Sequence, residues 1–570
     1  MPRQISAERI SSAKRFINCS ISSELSKSLT ELVAPPLGVV FNKEVEKPKN
    51  KLGLAGAKLV AAGIILSRIS GFIRERVFAH YFGNSDAGDA FKAALKIPNF
   101  LQNLFGEGIL SASFIPVYVG LTSQGDEEEA GRLAGAIASI LGLIVSLIVL
   151  LGVLATPFLI DLIAPGFHDE KRLLTIHLVQ IFFPGAGLLV MSAWCLGILN
   201  SHHKFFLSYA APVLWNLSAV GALVIFGGGS TQSQLAVYTA WGLVVGSSLQ
   251  FGSQLPVALG LIKKFKLNLD GQMKSVQMVI TGFLPVVLSR GVVQVSAYID
   301  NVLASFLPTG AVSALSYAQT IYLLPISLFG MSISAAELPQ MSRASGTPEE
   351  IAGFLRTRLE GALRKIAFFV IPSVVAFLLF GDVIVAIIFQ SGAFTRNNTL
   401  YVWSVLGGST IGLLSATMGR IYSSAFYALK DTRTPLKFAV IRVTLTTVLG
   451  VGCALYLPKL LGIDASWGTA GLTASAGASG WVEFLLLRRG MNLRTGKTGV
   501  PVALSFRLWS AAFGAGAVGF LIKTYLGHAH PLIDGAIILG VYGVLYLGIT
   551  AALRVSESRE FYDKIKRRLI

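Results

Sequence analysis

From about residue 53 onward, apolar residues fill the chain in runs of roughly 20, the length that carries an α-helix across a bilayer. The runs fall near 54–73, 90–118, 132–163, 174–200, 206–227, 235–262 and 277–306, then near 312–340, 363–389, 400–428, 435–458, 467–487, 502–526 and 531–553. They lack the ten-residue, period-two alternation of a membrane barrel strand. The pattern predicts an all-α polytopic membrane protein with about fourteen transmembrane helices. Pro98, Pro184, Pro325 and Pro372 stand inside runs, where a proline kinks a helix and frees a carbonyl.

The pattern also repeats. Ser67-Arg68 is echoed by Ser289-Arg290, Ile97-Pro98 by Leu324-Pro325, and "FIP" at 114–116 by "ELP" at 337–339. "PGF" ending at Phe167 is echoed by "GAF" ending at Phe394, and Pro212 by Pro435. Five pairs in one order, at about 221 to 227 residues, predict two pseudo-symmetric six-helix lobes, 53–275 and 276–490, followed by two C-terminal helices in 491–554 and a basic cytoplasmic tail in 555–570. Transporters use such repeats to build a site between halves and expose it alternately. Residues 1–52 are polar, mixed in charge and without an apolar signal core, and are predicted to be a disordered cytoplasmic extension or a partner-binding arm rather than a secretory signal.

Composition sharpens this. The 570 residues are 53% hydrophobic and 14% charged, with mean hydropathy +0.65, against about 25% charged in soluble proteins. The net charge of +18 sits mostly between apolar runs, where it sets orientation, so nucleic acid is not expected as a partner. "KKFKLNLDGQMK", "KDTRTPLK" and "RRGMNLRTGK" fall on one side, which predicts both termini in the cytoplasm. Cys19, Cys195 and Cys453 are widely spaced and indicate neither a metal site nor a disulfide framework.

Charges inside the runs carry the functional signal, since each costs about 2.5 to 3.5 kcal/mol at mid-span. Arg76, Lys92, Arg442 and Glu483 lie near predicted helix ends and are expected to snorkel to water. Arg68 lies well inside the first run, and Arg74 follows nearly two turns later. A cavity lined by guanidinium groups suits phosphate or carboxylate cargo. Arg290 repeats Arg68, and Arg420 is placed to face the same cavity. Asp89 and Glu107 hold the arginines, set selectivity or serve as structural partners. Asp300, in "SAYIDNVLASF", is read either as a site for a coupling cation or proton, or as the partner of an arginine.

A membrane enzyme needs a carboxylate or histidine cluster at a membrane face. The seven histidines are scattered, and "GDEEEAGR" reads as a helix start where acids complement the dipole. His202-His203 reads as a solvated pair. No phosphate-binding loop for ATP occurs, so no cofactor is expected and the driving force is left to membrane potential, an ion gradient or removal of product.

"SRISGFIRERVFAHYFGNSDAGDAFKAALKIPNFLQNLFGEGILSASFIPV" resembles the amino-terminal signature of the MurJ/MviN family of lipid II flippases. "APGF", "GILNSHHKFFLSYAAPVLWN", "ASFLPTGAVSALSYA" and "FYALKDTRTPLK" extend the resemblance from about residue 53 to the end of the chain. It implies the multidrug/oligosaccharidyl-lipid/polysaccharide exporter superfamily, a V-shaped pair of lobes around a basic cavity, and C-terminal helices bordering a groove for a lipid tail. It implies as cargo the undecaprenyl-pyrophosphate-linked muropeptide lipid II, with membrane lipids and cell-wall synthesis proteins as further partners. Arg68, Arg74, Asp89 and Glu107 occupy positions that matter in relatives. Gln102 and Asn103, and Gln319 and Thr320, stand where relatives usually carry arginines, which opens the alternatives of another polyprenyl-linked oligosaccharide or a multidrug exporter.

Overall fold

The computed structural model describes residues 51–105, 107–526 and 531–569, with the side chains of 51–59, 61, 107–109, 284–297, 564–565 and 567–569 outside the description. The expected N-terminal extension therefore lies outside the described residues.

The described chain is built of helical rods. Helix α1 is Lys51–Phe82 and α2 runs Asp86–Ser123, as Asp86–Phe105 followed by Glu107–Ser123. Then come α3 Glu127–Ile163, α4 Asp169–Ser201, α5 Phe205–Phe226 and α6 Gln232–Leu261. The second set is α7 Lys274–Ser305, α8 Ala311–Met341, α9 Pro348–Phe389, α10 as Arg396–Thr410 with Leu413–Ala428, α11 Arg433–Leu461 and α12 Trp467–Thr495. Helices α13 Val502–Tyr525 and α14 Pro531–Ala552 follow, and a short surface helix, α15, closes the chain at Ser556–Leu569.

Among the described residues nine helices are long and apolar enough to cross a membrane, ten if the bent α10 pair is one span, which is compatible with about fourteen. The rods alternate direction, so their connections fall at two ends. One end holds the turns after α1, α3, α7 and α9; the other holds those after α2, α4, α6, α8, α10 and α12, together with α15.

Helix α3 starts as the acidic run predicts: Asp126 accepts from the Glu129 amide at 2.9 Å, and Glu127 and Glu128 pair with Lys263 and Lys264. Pro184 and Pro372 lie inside continuous helices, whereas Pro325 leads into a π-helical turn at Ile326–Met331. Asp86, Glu127 and Asp169 open α2, α3 and α4 as Ala311, Pro348 and Arg396 open α8, α9 and α10.

The packing repeats as well. Helix α4 lies on α2, α3 and α6, and α5 on α1 and α6, while α10 lies on α8, α9 and α12, and α11 on α12. Helices α13 and α14 pack on each other and on α9. Helix α7 crosses between the sets, touching α2 and α3 on one side and α11 and α12 on the other.

Candidate functional site

At the end that carries the α1–α2 and α7–α8 turns, the two sets of helices are knitted together. Asp89, 1% exposed, accepts from the Gly310 amide at 2.8 Å and the Ser313 amide at 2.7 Å, and from Lys171 Nζ at 2.8 Å. A carboxylate from α2 thus caps the amino end of α8, where unpaired amides and the helix dipole favour an anion.

Gly310 makes this approach possible: its φ is +91°, and a Cβ there would lie 2.7 Å from Asn84 Cβ. Around the cap, Lys171 also reaches Asp86 at 2.9 Å, Thr309 donates to Asp86, and Tyr317 donates to the Gly83 carbonyl. The Ala393 amide donates to the His80 carbonyl at 2.7 Å, and Asn301 donates to the Ile163 carbonyl at 3.2 Å. Arg76 crosses to α9 and donates to the Ile387 and Ile388 carbonyls at 2.5 and 2.8 Å. Asp382 ties three more elements by accepting from Arg396 at 2.9 Å and Lys523 at 2.7 Å.

Deeper along α1 and α2 the charges form a second group. Arg74 pairs with Glu75 at 2.8 Å and stacks on Trp215 at 4.6 Å, and the other oxygen of Glu75 takes Lys92. Lys92 is buried over the Phe78 and Tyr317 rings. Nearby, Tyr298 of α7 donates to the Lys96 carbonyl at 2.8 Å. The Asp300 carboxylate is acted on by Lys96 and Arg442, and its Oδ1 is buried without a hydrogen bond among the described residues.

Helix α1 continues through Phe82 instead of ending near 73. Arg76 and Lys92 are correspondingly interior and bonded, and Arg442 pairs with Glu483 at 2.8 Å. The expectation that these four snorkel is corrected: each is absorbed by a partner inside the bundle. His202, read as solvated, bonds the Tyr118 hydroxyl at 3.0 Å.

Arg68 behaves differently. It is exposed, has no ion-pair or hydrogen-bond partner among the described residues, and lines a cavity of about 230 Å³ with Gln102, Ser192, Tyr209 and Gln250. Arg420 is likewise exposed and unpaired among the described residues, and it acts electrostatically on Tyr322, Tyr427 and Glu483. A guanidinium left unspent retains its full donor set for an anion.

Of the predicted site residues, Arg68 and Arg74 share one helix, Asp89 is spent on the α8 cap, and Arg420 and Asp300 lie on α10 and α7. Arg290 and Glu107 lie within α7 and α2, but their side chains are outside the described residues. Gln102 sits beside Arg68, Asn103 and Gln319 are exposed, and the Thr320 hydroxyl is turned back to the Ser316 carbonyl. Sequence reasoning missed the Glu75–Lys92 pair; the signal available was two opposite charges in adjacent apolar helices, each too costly to leave alone. No cluster of three or more metal-ligating side chains occurs among the described residues.

A bundle with nine or ten described helices long and apolar enough to cross a membrane, and with unspent guanidinium groups on its cavity and surface, is a multi-pass membrane protein of the transporter kind. The family described as lipid II flippase MurJ matches residues 78–530, and the chain belongs to that family. A probable lipid II flippase MurJ of Rhizobium tropici is 30% identical over 513 residues, 87% of this chain and 91% of that one. The lipid II flippase MurJ of Burkholderia cenocepacia is 29% identical over 456 residues, 78% of this chain and 84% of its own. Among solved structures, a lipid II flippase MurJ in an inward closed conformation superposes with TM-score 0.72 at 24% identity, covering 87% of this chain and 99% of that one. An inward-facing multidrug resistance transporter of the MOP superfamily superposes with TM-score 0.57 at 17% identity, over 74% and 95%. These likenesses establish the fold.

Proposed function

We propose that the chain is a lipid II flippase, moving the polyprenyl-pyrophosphate-linked muropeptide from the inner to the outer leaflet of a bacterial cytoplasmic membrane for cell-wall synthesis. The observation that carries the reading is the unspent Arg68 guanidinium lining a cavity, on the same helix whose far end is sealed. The names of the relatives agree with it.

The lobes are 53–275 and 276–490, with α13 and α14 in 491–554 and a basic tail in 555–570. Both termini lie in the cytoplasm, because the turns bearing Lys263, Lys264, Lys266, Lys430, Arg433, Arg494 and Lys497 fall at the end opposite the seam. The seam is then the outer gate, held shut in this state.

The head group enters from the inner side and its pyrophosphate pairs with Arg68, with Arg74, Arg290 and Arg420 completing the basic wall. Arg74 must release Glu75 to take part, and Lys92 keeps the freed carboxylate paired. Rocking of the lobes breaks the Asp89 cap and opens the outer end, while the lipid tail stays in the bilayer along α13 and α14. No step is chemical, so the protein acts as a transporter and not an enzyme, with membrane potential or an ion gradient as the drive. Asp300 serves as counter-charge to Lys96 and Arg442, which compete with any coupling cation.

The test is lipid II exposure on the outer leaflet of cells whose sole flippase candidate is this chain. Exposure dependent on the chain supports the reading. Absence of exposure from well-inserted protein overturns it and favours another polyprenyl-linked oligosaccharide.

A further inference from the structure

The niche beside Arg68 differs from the rest of the charged interior: apart from the guanidinium, its polar lining is neutral. Helix α2 contributes Gln102, α4 contributes Ser192 and α6 contributes Gln250, with Leu189 and Leu196 as apolar wall. Ser192 is already used, donating to Gln254 Oε1 at 2.5 Å and accepting from Gln250 Nε2 at 3.0 Å. That ladder fixes the Gln250 carboxamide with its nitrogen in the wall, leaving its carbonyl oxygen without a partner among the described residues. Gln102 has no hydrogen-bond partner among the described residues and keeps two donors and an acceptor for a ligand.

Resting on the functional reading above, we propose that this niche recognises an acylamino substituent, such as acetamido, on the sugar next to the pyrophosphate of the lipid-linked cargo. A secondary amide presents one N–H and one C=O pointing apart, and needs one acceptor and one donor held at separate places. Two carboxamides from different helices supply both, and the acyl methyl finds Leu189 and Leu196. The volume of about 230 Å³ suits one substituted ring and not a whole glycopeptide head. Arg68 takes the neighbouring phosphate, which every polyprenyl-diphosphate sugar carries, so charge sets affinity and the carboxamides set which sugar is accepted.

The experiment measures binding to the full chain in lipid nanodiscs with three probes: a short-chain polyprenyl diphosphate bearing N-acetylglucosamine, the same lipid bearing glucose, and the bare diphosphate. The wild type is expected to prefer the acetamido probe over the glucose probe about tenfold, the effect of two modest hydrogen bonds. Gln102→Leu and Gln250→Leu each bring that ratio towards one, whereas Arg68→Ala weakens both sugar probes and preserves it. Gln250 belongs to the buried ladder, so Gln102→Leu, which breaks no contact described, keeps the test decisive if Gln250→Leu fails to fold. A wild-type ratio near one, or a ratio unchanged in Gln102→Leu, with bare diphosphate still bound, overturns the niche assignment alone. Failure of the wild type to bind any diphosphate probe overturns the transport reading together with it.

Discussion

Arg76 and Arg68 lie on one helix and have opposite fates. Arg76 gives its hydrogen bonds to the Ile387 and Ile388 carbonyls and closes the seam, while Arg68 gives none to any described residue and faces a cavity. The seam and the niche differ throughout in this way. At the seam Asp89, Asp86, Lys171 and Asp382 are all bonded, and chain elements approach so closely that Gly310 has no space for a side chain. At the niche Ser192 and the Gln250 nitrogen are spent on holding the wall, whereas Arg68 and Gln102 have no hydrogen-bond partner among the described residues. The contrast teaches that an intramembrane charge with its partners inside the fold holds a conformation, and one without them is available to cargo.

The largest way to break the comparison is at the seam. Asp89→Ala leaves the buried Gly310 and Ser313 amides without their acceptor and Lys171 with Asp86 alone, and a loss of about 3–5 kcal/mol is expected. Thermal unfolding in detergent reads the loss, and labelling of single cysteines near Thr309 reads greater opening of this end. Gly310→Ala comes next, at about 1–3 kcal/mol, because alanine must hold a positive φ against Asn84. Gly271→Ala, with open space around it, is the control and leaves the melting temperature unchanged.

The smallest effect tests the opposite end. Partial burial pushes the Asp431 carboxyl up, but the Thr434 amide and hydroxyl and the Arg494 guanidinium outweigh it and hold the carboxyl down at about 2. A lowered value means that the contribution is present above the ordinary carboxylate range and is lost as pH falls towards 2. The ion pair is partly exposed, with its Arg494 side 43% accessible and screened by solvent, so the effect stays at about 1 kcal/mol. Asp431→Asn should flatten that part of the stability–pH curve between pH 4 and 2, and an unchanged curve rejects the assignment.

The helical class and the order of the rods were legible because twenty-residue apolar runs have few other meanings and the repeat doubled each signal. Arg68 stood out in the sequence because a charge inside an apolar run demands a reason, and the fold sets it on a small cavity whose other polar lining is neutral. What escaped was pairing at long range. The triplet Arg74-Glu75-Arg76 looks like the polar end of a span, and only the fold brings Lys92 to Glu75 and the end of α9 to Arg76. Asp89 carried two readings, ligand group or structural partner, because no sequence pattern reveals that its carboxylate meets the amides of Gly310 and Ser313. Periodicity reports a helix's own faces, whereas these contacts depend on how two sets of helices dock.

The central claim is tested most directly by measuring outer-leaflet lipid II exposure and melting temperature together for Arg68→Ala and the wild type at matched expression. The account predicts that Arg68→Ala abolishes exposure while the stability read from thermal unfolding stays within about 0.5 kcal/mol of wild type, as for a residue without internal partners. Exposure retained by Arg68→Ala, or exposure lost only alongside a collapse in stability, would contradict it.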